Sequence, residues 1–353
     1  MVFSLKIGEI EIGINKPPFV IAEAGANHNG SIELAFKLIE KAKEAGANCI
    51  KFQTFKTELF CEDNNKLYEY EVHGKKFVQS EFEMFKNLEF DIKEWERIIK
   101  CCKEKGIKFM TTIQDPEILD QMLDLGIDSI KVGSDDFDHL INLEYYIKSN
   151  LPLIISNGMS DLKETDLILN FLRKNNYSQK SCILYCVSLY PCNPKNINLE
   201  MIRDLSRIYP DFNWGFSDHT ESYLTPALAV INGATVIEKH FTLDKDLPGP
   251  DHWFSVNPHE MRELIKSVQY AFQARGKGFA QERHDLTQRE IMRRRIIFAR
   301  NLPKGHNINI NDLRFRRASK GIFPSRIYEV IGRELNVDVK DGDFLDMNLL
   351  KNN

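Results

Sequence analysis

Short runs rich in β-branched and aromatic residues recur eight times between residues 19 and 240, separated by longer stretches of helical period. The runs are Phe19–Glu23, Cys49–Gln53, Lys108–Thr112, Ser129–Gly133, Leu153–Ser156, Cys182–Val187, Asn213–Ser217 and Thr235–His240. Side chains repeat their facing every two residues in a strand and every 3.6 in a helix, so this alternation leaves few architectures open. Ser31–Ala45 shows the helical half of the unit. Leu34, Leu38 and Ala42 form one apolar stripe, Ser31 stands as an N-cap and Gly46 as a stop. Eight strand–helix units read as an α/β fold, a closed (β/α)₈ TIM barrel. An open doubly wound sheet is the alternative, but no G-x-G-x-x-G follows the first strand.

The flanking segments differ. Residues 1–15 alternate apolar and charged positions (Leu5, Ile7, Ile10, Ile12), which is a β-hairpin pattern rather than a signal peptide. The expected partition is a barrel domain over 1–280, a polar linker over 281–292 and a small domain over 293–353. In the small domain Gly305, Ile308, Ile310 and Leu313 match Gly342, Leu345, Met347 and Leu350 in spacing, as a pseudo-symmetric fold with short strands would. So small a domain buries little apolar surface and is expected to dock on something. The long connection from Lys56 to Asn87 carries Tyr68, Tyr70, Phe77, Phe82 and Phe85. It reads either as a lid or binding segment, or as short helices covering the barrel side.

Composition excludes some partners. A net charge of −4 among 28% charged residues gives no basic surface for nucleic acid, and the Arg293-Arg294-Arg295 run reads as a solvated face. No run approaches the ~20 apolar residues that cross a bilayer. The seven cysteines are odd in number and include no pair of C-x-x-C units, so reduced thiols in a cytoplasmic protein are the simplest account.

Barrel chemistry gathers at the C-terminal ends of the strands. Those ends carry Glu23, Lys51 with Gln53, Thr112, Lys131 with Ser134, Ser156, Ser188 with Tyr190, Ser217 with His219, and Glu238 with His240. Alternation puts Ser217 and His219 on one face of their strand, and Glu238 and His240 on one face of the next. The two imidazoles can then meet at one mouth and hold a divalent metal; two unrelated surface histidines are the other reading. Two imidazoles with oxygen donors around them favour manganese, with zinc or iron as alternatives, and leave positions open for an aldehyde or water. Lys51 and Lys131 each interrupt an apolar run. A buried ammonium needs a partner, and two of them beside hydroxyls make a pocket for a small polyanion such as a phosphate or carboxylate. Glu23 follows Phe-Val-Ile-Ala and is either a general base, a contact to a sugar hydroxyl, or a structural partner of Lys51. Asp251 lies on the Pro248-Gly249-Pro250 loop, whose stiffness suits a substrate contact. Lys239 faces away from Glu238 and His240 and reads as structural.

These residues form a set of motifs that resembles the sialic acid (N-acetylneuraminate, or nonulosonate) synthases. The carriers are Ile21–Gly30, Lys51-Phe52-Gln53-Thr54, Lys131-Val132-Gly133-Ser134, Ser156-Asn157-Gly158-Met159, Gly215–Thr220, Glu238–Thr242 and Pro248–Asp251. The tail from about Arg293 is similar to the antifreeze-like SAF domain of those enzymes. The resemblance implies condensation of phosphoenolpyruvate with the aldehyde of an N-acetylated hexosamine, releasing phosphate. It implies a metal on His219 and His240, and phosphoenolpyruvate held by Lys51, Thr112, Lys131, Ser134, Ser156, Ser188 and Ser217. Around the sugar it implies Glu23, Gln53, Tyr190 and Asp251, with Glu23 moving the proton. It further implies a domain-swapped homodimer in which Arg317 of a second copy reaches the sugar's N-acyl group. Two departures stand out: Ala318-Ser319 replaces a common Pro-Gly, and Ser188 replaces an asparagine. The acceptor stays open between N-acetylmannosamine and the diacetamido sugars of the legionaminic and pseudaminic acids. A phosphoenolpyruvate-dependent synthase for another aldose, or a non-catalytic sugar-binding protein, are the competing readings.

Overall fold

A computed structural model describes residues 5–62, 66–72, 75–278 and 283–351. Residues 281 and 282 of the expected linker, and the outermost residues of the expected hairpin and small domain, lie outside that range. The chain divides into two compact units, Met1–Gly276 and Lys277–Asn353.

In the first unit, β1 (Leu5–Ile7) and β2 (Ile10–Ile12) pair antiparallel as the expected hairpin. Next come β3 (Phe19–Gly25), α1 (Ile32–Ala45), β4 (Cys49–Thr54), α2 (Thr57–Phe60), β5 (Leu67–Val72), β6 (Lys75–Ser80), α3 (Glu81–Leu88) and α4 (Ile92–Lys105). The order continues with β7 (Lys108–Ile113), α5 (Pro116–Asp124), β8 (Ser129–Val132), α6 (Leu140–Lys148), β9 (Leu153–Ser156), α7 (Leu162–Lys174) and β10 (Ser181–Cys186). It closes with α8 (Glu200–Ile208), β11 (Asn213–Asp218), α9 (Thr225–Ile231), β12 (Val236–His240) and α10 (Pro258–Arg275). Eight parallel strands close in the order β10-β11-β12-β3-β4-β7-β8-β9. The fold is therefore the TIM barrel that the alternation implied, with each strand within two residues of its expected bounds.

Local chemistry sets the helices. Ser31 accepts from the Leu34 N–H at 3.3 Å, and Gly46 closes α1 at φ 98°, a left-handed conformation that suits glycine. The buried stripe is Ala35, Leu38, Ile39 and Ala42, so the expected Leu34 sits half-buried on its flank. Burial of side chains such as Leu38 and Ile39 contributes about 1.5–3 kcal/mol each. Asp91 and Asp161 begin α4 and α7 with reciprocal capping boxes. Inside the barrel's lower half Phe19, Ile21, Cys49, Met110, Ile154, Cys182, Leu184 and Val236 pack with Leu5, Ile7 and Ile12, so the hairpin plugs the N-terminal end. All seven cysteines are free thiols.

The second unit contains α11 (Gln288–Met292), β13 (Arg294–Phe298) and β14 (Leu313–Arg317), the strands pairing antiparallel. The sequence repeat becomes physical here. Gly305 and Gly342 turn at φ 88° and 91°, Ile308 and Leu345 are buried, and single 3₁₀ turns start at Ile310 and Met347. One basic residue departs from the sequence reading. Arg295 is buried rather than solvated, with its guanidinium 3.5 Å from the Phe323 ring centre and paired to Glu290. The partner ring is 28 positions away in sequence, which a local reading cannot see.

Candidate active site

The C-terminal ends of the barrel strands surround a cavity of about 880 Å³. Its wall includes Glu23, Lys51, Gln53, Thr112, Lys131, Ser134, Ser156, Ser188, Tyr190, Ser217, His219, His240 and Asp251. Thirteen of the fourteen expected site residues thus converge; Arg317 instead ends β14 in the second unit, exposed. The convergence follows from register. Glu23 pairs with Lys51 across β3 and β4, Thr112 with Lys131 across β7 and β8, Ser217 with Glu238 across β11 and β12, and His240 with Glu23 across β12 and β3.

The floor is a set of buried opposite charges. Lys51 Nζ lies 2.8 Å from Glu23 Oε1 and donates to Thr112 Oγ1 at 3.1 Å. Lys131 Nζ donates to Ser156 Oγ at 2.7 Å and to the Val132 carbonyl at 2.8 Å, and lies 3.9 Å from Glu238 Oε1. Ser217 Oγ donates to Glu238 Oε1 at 3.1 Å. Glu23 is thus the partner of Lys51 that one reading of the sequence gave it, while the carboxylate near Lys131 comes from Glu238, to which the sequence reading gave no role. Burial raises the Glu23 carboxyl to about 7, against the pull of Lys51 and with help from Glu238. Burial also acts on Glu238, but Lys131 and Lys51 outweigh it and hold that carboxyl below its ordinary value. Burial lowers the Lys131 ammonium, while for Lys51 the carboxylates of Glu23 and Glu238 overcome burial and raise it. Burial likewise raises Asp251, to about 6.

The two imidazoles meet above this floor with ring centres 5.4 Å apart. His219 Nδ1 lies 2.9 Å from the Val187 carbonyl, which only accepts, so that nitrogen carries the proton and Nε2 keeps its lone pair. Burial holds both rings below their ordinary values, most strongly at His240. His240 Nδ1 is buried without a hydrogen-bond partner, 3.7 Å from Asp251 Oδ2. Two neutral imidazoles, one steered by a backbone carbonyl and one unpartnered, fit a metal ion held by few protein ligands. Among the described residues no group of three or more His, Cys, Asp or Glu forms a metal cluster. Glu23 Oε2 and Glu238 Oε2 are also buried and unpartnered, so the cavity keeps acceptors turned inward.

Several walls escaped the sequence reading. Glu238 shares a face with His240 and interrupts an apolar run as Lys51 does, yet it carried no role there. Asp135, Gln114, Trp253 and Phe254 also line the cavity. The long connection, expected as a lid or binding segment or else as short helices on the barrel side, forms the β5–β6 hairpin between α2 and α3 and brings the expected Tyr68, Tyr70 and Phe85, with Glu69, Met84 and Leu88, to the cavity wall. Gly158 permits a close approach opposite: an added Cβ would stand 2.3 Å from Ser188 Oγ and 2.7 Å from Ser134 Oγ.

The whole chain has recognisable relatives. Residues 38–280 match the NeuB family and residues 293–351 match the SAF domain. The N,N'-diacetyllegionaminic acid synthase of Legionella pneumophila is 37% identical over 93% of this chain and 93% of its own. The N-acetylneuraminate-9-phosphate synthase of Homo sapiens is 30% identical over 97% of this chain and 95% of its own. A crystal structure of N-acetylneuraminic acid synthetase from Leptospira borgpetersenii, in complex with citrate, superposes with a TM-score of 0.74 at 32% identity, covering 82% of this chain and 95% of that one. By this measure the protein belongs to the NeuB family and is an enzyme of that type, with an SAF domain at its C-terminal end.

Proposed function

We propose that the protein condenses phosphoenolpyruvate with the aldehyde of an N-acetylated hexosamine, giving a nonulosonic acid and inorganic phosphate. The observation that carries this reading is the convergence of Lys51 and Lys131, five hydroxyl side chains and two neutral imidazoles in one cavity. A donor with a carboxylate and a phosphate suits the two ammoniums, with Thr112, Ser134, Ser156, Ser188 and Ser217 as directional partners. Carbon 3 of the enol forms the new bond to the aldehyde carbon. The aldehyde oxygen takes a proton, water adds at carbon 2, and phosphate departs with the carbon–oxygen bond broken. Glu23 holds the proton for the aldehyde oxygen, since its carboxyl titrates near neutrality. A divalent ion on His219 and His240, manganese by preference, would polarise that oxygen when bound. Gln53, Tyr190 and Asp251 orient the sugar.

The relative at 37% identity is named for a diacetylated product, which supports a diacetamido-trideoxyhexose ahead of N-acetylmannosamine as acceptor. In the same reading the chain works as a domain-swapped homodimer, and Arg317 of a second copy reaches the N-acyl group. The test is a panel of amino sugars with phosphoenolpyruvate and Mn²⁺, read as phosphate release. Release with an acylated hexosamine supports the reading; release only with a different aldose, or with none, overturns it.

A further inference from the structure

Behind the two histidines lies an ion pair that the proposed chemistry does not use. Asp218 and Lys239 are the immediate sequence neighbours of His219 and His240, and they are paired across β11 and β12. Alternation turns them to the outside of the barrel, where Trp214, Phe216 and Ile237 belong to the apolar layer under the helices. Both side chains are 0% exposed, and Lys239 Nζ lies 2.7 Å from Asp218 Oδ2.

The remaining contacts all reach one loop. Lys239 Nζ donates to the Thr220 carbonyl and, at 3.1 Å, to the Ser222 carbonyl. With the Thr220 hydroxyl as a longer fourth contact at 3.5 Å, the ammonium's three protons have acceptors on every side. Asp218 in turn accepts from the Thr220 N–H at 2.9 Å and the Thr220 hydroxyl at 3.2 Å. The loop so fixed carries His219, whose own carbonyl accepts from the Cys192 N–H at 2.8 Å. An apolar pair of similar volume would cost less to bury than two charges, so stability alone does not account for this pair.

We infer that Lys239 is a positioning residue, strapping the 218–222 loop to β12 so that His219 is held in register with His240. The inference rests on the proposed site only for what the histidines then do; the strap itself is a matter of geometry. Groups that orient metal-binding histidines typically change affinity or activity by about 10–100-fold when removed.

The test compares the full-length protein with the Asp218→Leu/Lys239→Met double variant, in which the charges are replaced together. The readouts are Mn²⁺ affinity by calorimetry, the kcat and KM for phosphoenolpyruvate, and the ring ¹⁵N signals of His219 and His240. The strap predicts a folded double variant with Mn²⁺ bound at least ~10-fold more weakly, kcat lowered to match, KM for phosphoenolpyruvate little changed, and the His219 ring signal moved. A folded double variant with wild-type Mn²⁺ affinity and unmoved histidine signals overturns it. Failure of the wild type itself to bind Mn²⁺ would count against the metal reading, and the His219 ring signal alone then decides the strap. Should the double variant not fold, Asp218→Asn serves in the same comparison with the same two outcomes.

Discussion

Glu23 Oε1 stands 2.8 Å from Lys51 Nζ, with both side chains closed off from solvent. The contact makes one carboxylate serve as counter-ion and as a candidate proton carrier. Removing one partner of a buried pair leaves an uncompensated charge. Glu23→Ala is expected to lower unfolding stability by about 3–5 kcal/mol, whereas Glu263→Ala, at a surface ion pair with Lys266, should leave it nearly unchanged. Urea denaturation of the two variants checks this; equal midpoints would show that Lys51 does not depend on Glu23.

Ser156 offers Lys131 its shortest contact, 2.7 Å. Ser156→Ala is expected to raise the KM for phosphoenolpyruvate about tenfold, roughly the worth of one charge-assisted hydrogen bond, with the acceptor's KM changed much less. Initial-rate kinetics with each substrate varied in turn checks the split.

The segment over the mouth has a pH dependence of its own. Glu89 accepts from Lys56 Nζ at 2.7 Å, from Thr57 N at 3.1 Å and from Lys86 Nζ at 3.2 Å, tying α2 to the end of α3. Burial opposes ionisation, but these donors outweigh it and hold the carboxyl at about 2, below the ordinary 4.5. A lowered folded-state value means that the tie is fully present above about 4.5 and is lost as pH falls toward 2. The protection of residues 56–62 against hydrogen exchange, taken relative to the intrinsic chemical rate at each pH, is expected to be steady from about pH 7 to 5 and to fall between about pH 4.5 and 2. Glu89→Gln should remove that dependence.

Tyr68 and Tyr70 reach the mouth from the hairpin, and Tyr70 stacks on Phe77 at 5.1 Å. Loss of one aromatic contact to a sugar costs about 1–2 kcal/mol, so Tyr68→Ala is expected to raise the acceptor's KM roughly 5–30-fold and leave that of phosphoenolpyruvate nearly unchanged. Equal effects on both would place the hairpin outside the acceptor's path.

Much of this architecture was legible in the sequence because its causes are local. Strand alternation, the Ser31 cap and the Gly46 stop each act within a few residues, and strand ends alone pointed to Glu23, Lys51, Lys131 and the two histidines. Partnerships were not legible. The carboxylate near Lys131 comes from Glu238, more than a hundred residues on, and the register of eight strands decides that meeting. The hairpin was obscured because Tyr68, Tyr70 and Phe77 also suit short helices, and only their pairing across β5 and β6 sorts them. Arg295 was misplaced because its burial depends on Phe323 in a distant turn.

In the proposed reaction, carbon–carbon bond formation at this mouth expels phosphate by carbon–oxygen cleavage. Phosphoenolpyruvate labelled with ¹⁸O at the bridging position, incubated with Mn²⁺ and a diacetamido-trideoxyhexose, tests it by mass spectrometry of both products. The account predicts the label in inorganic phosphate, in equal amount to a new nonulosonic acid. Label retained in the keto acid, or phosphate formed without a new sugar acid, would contradict it.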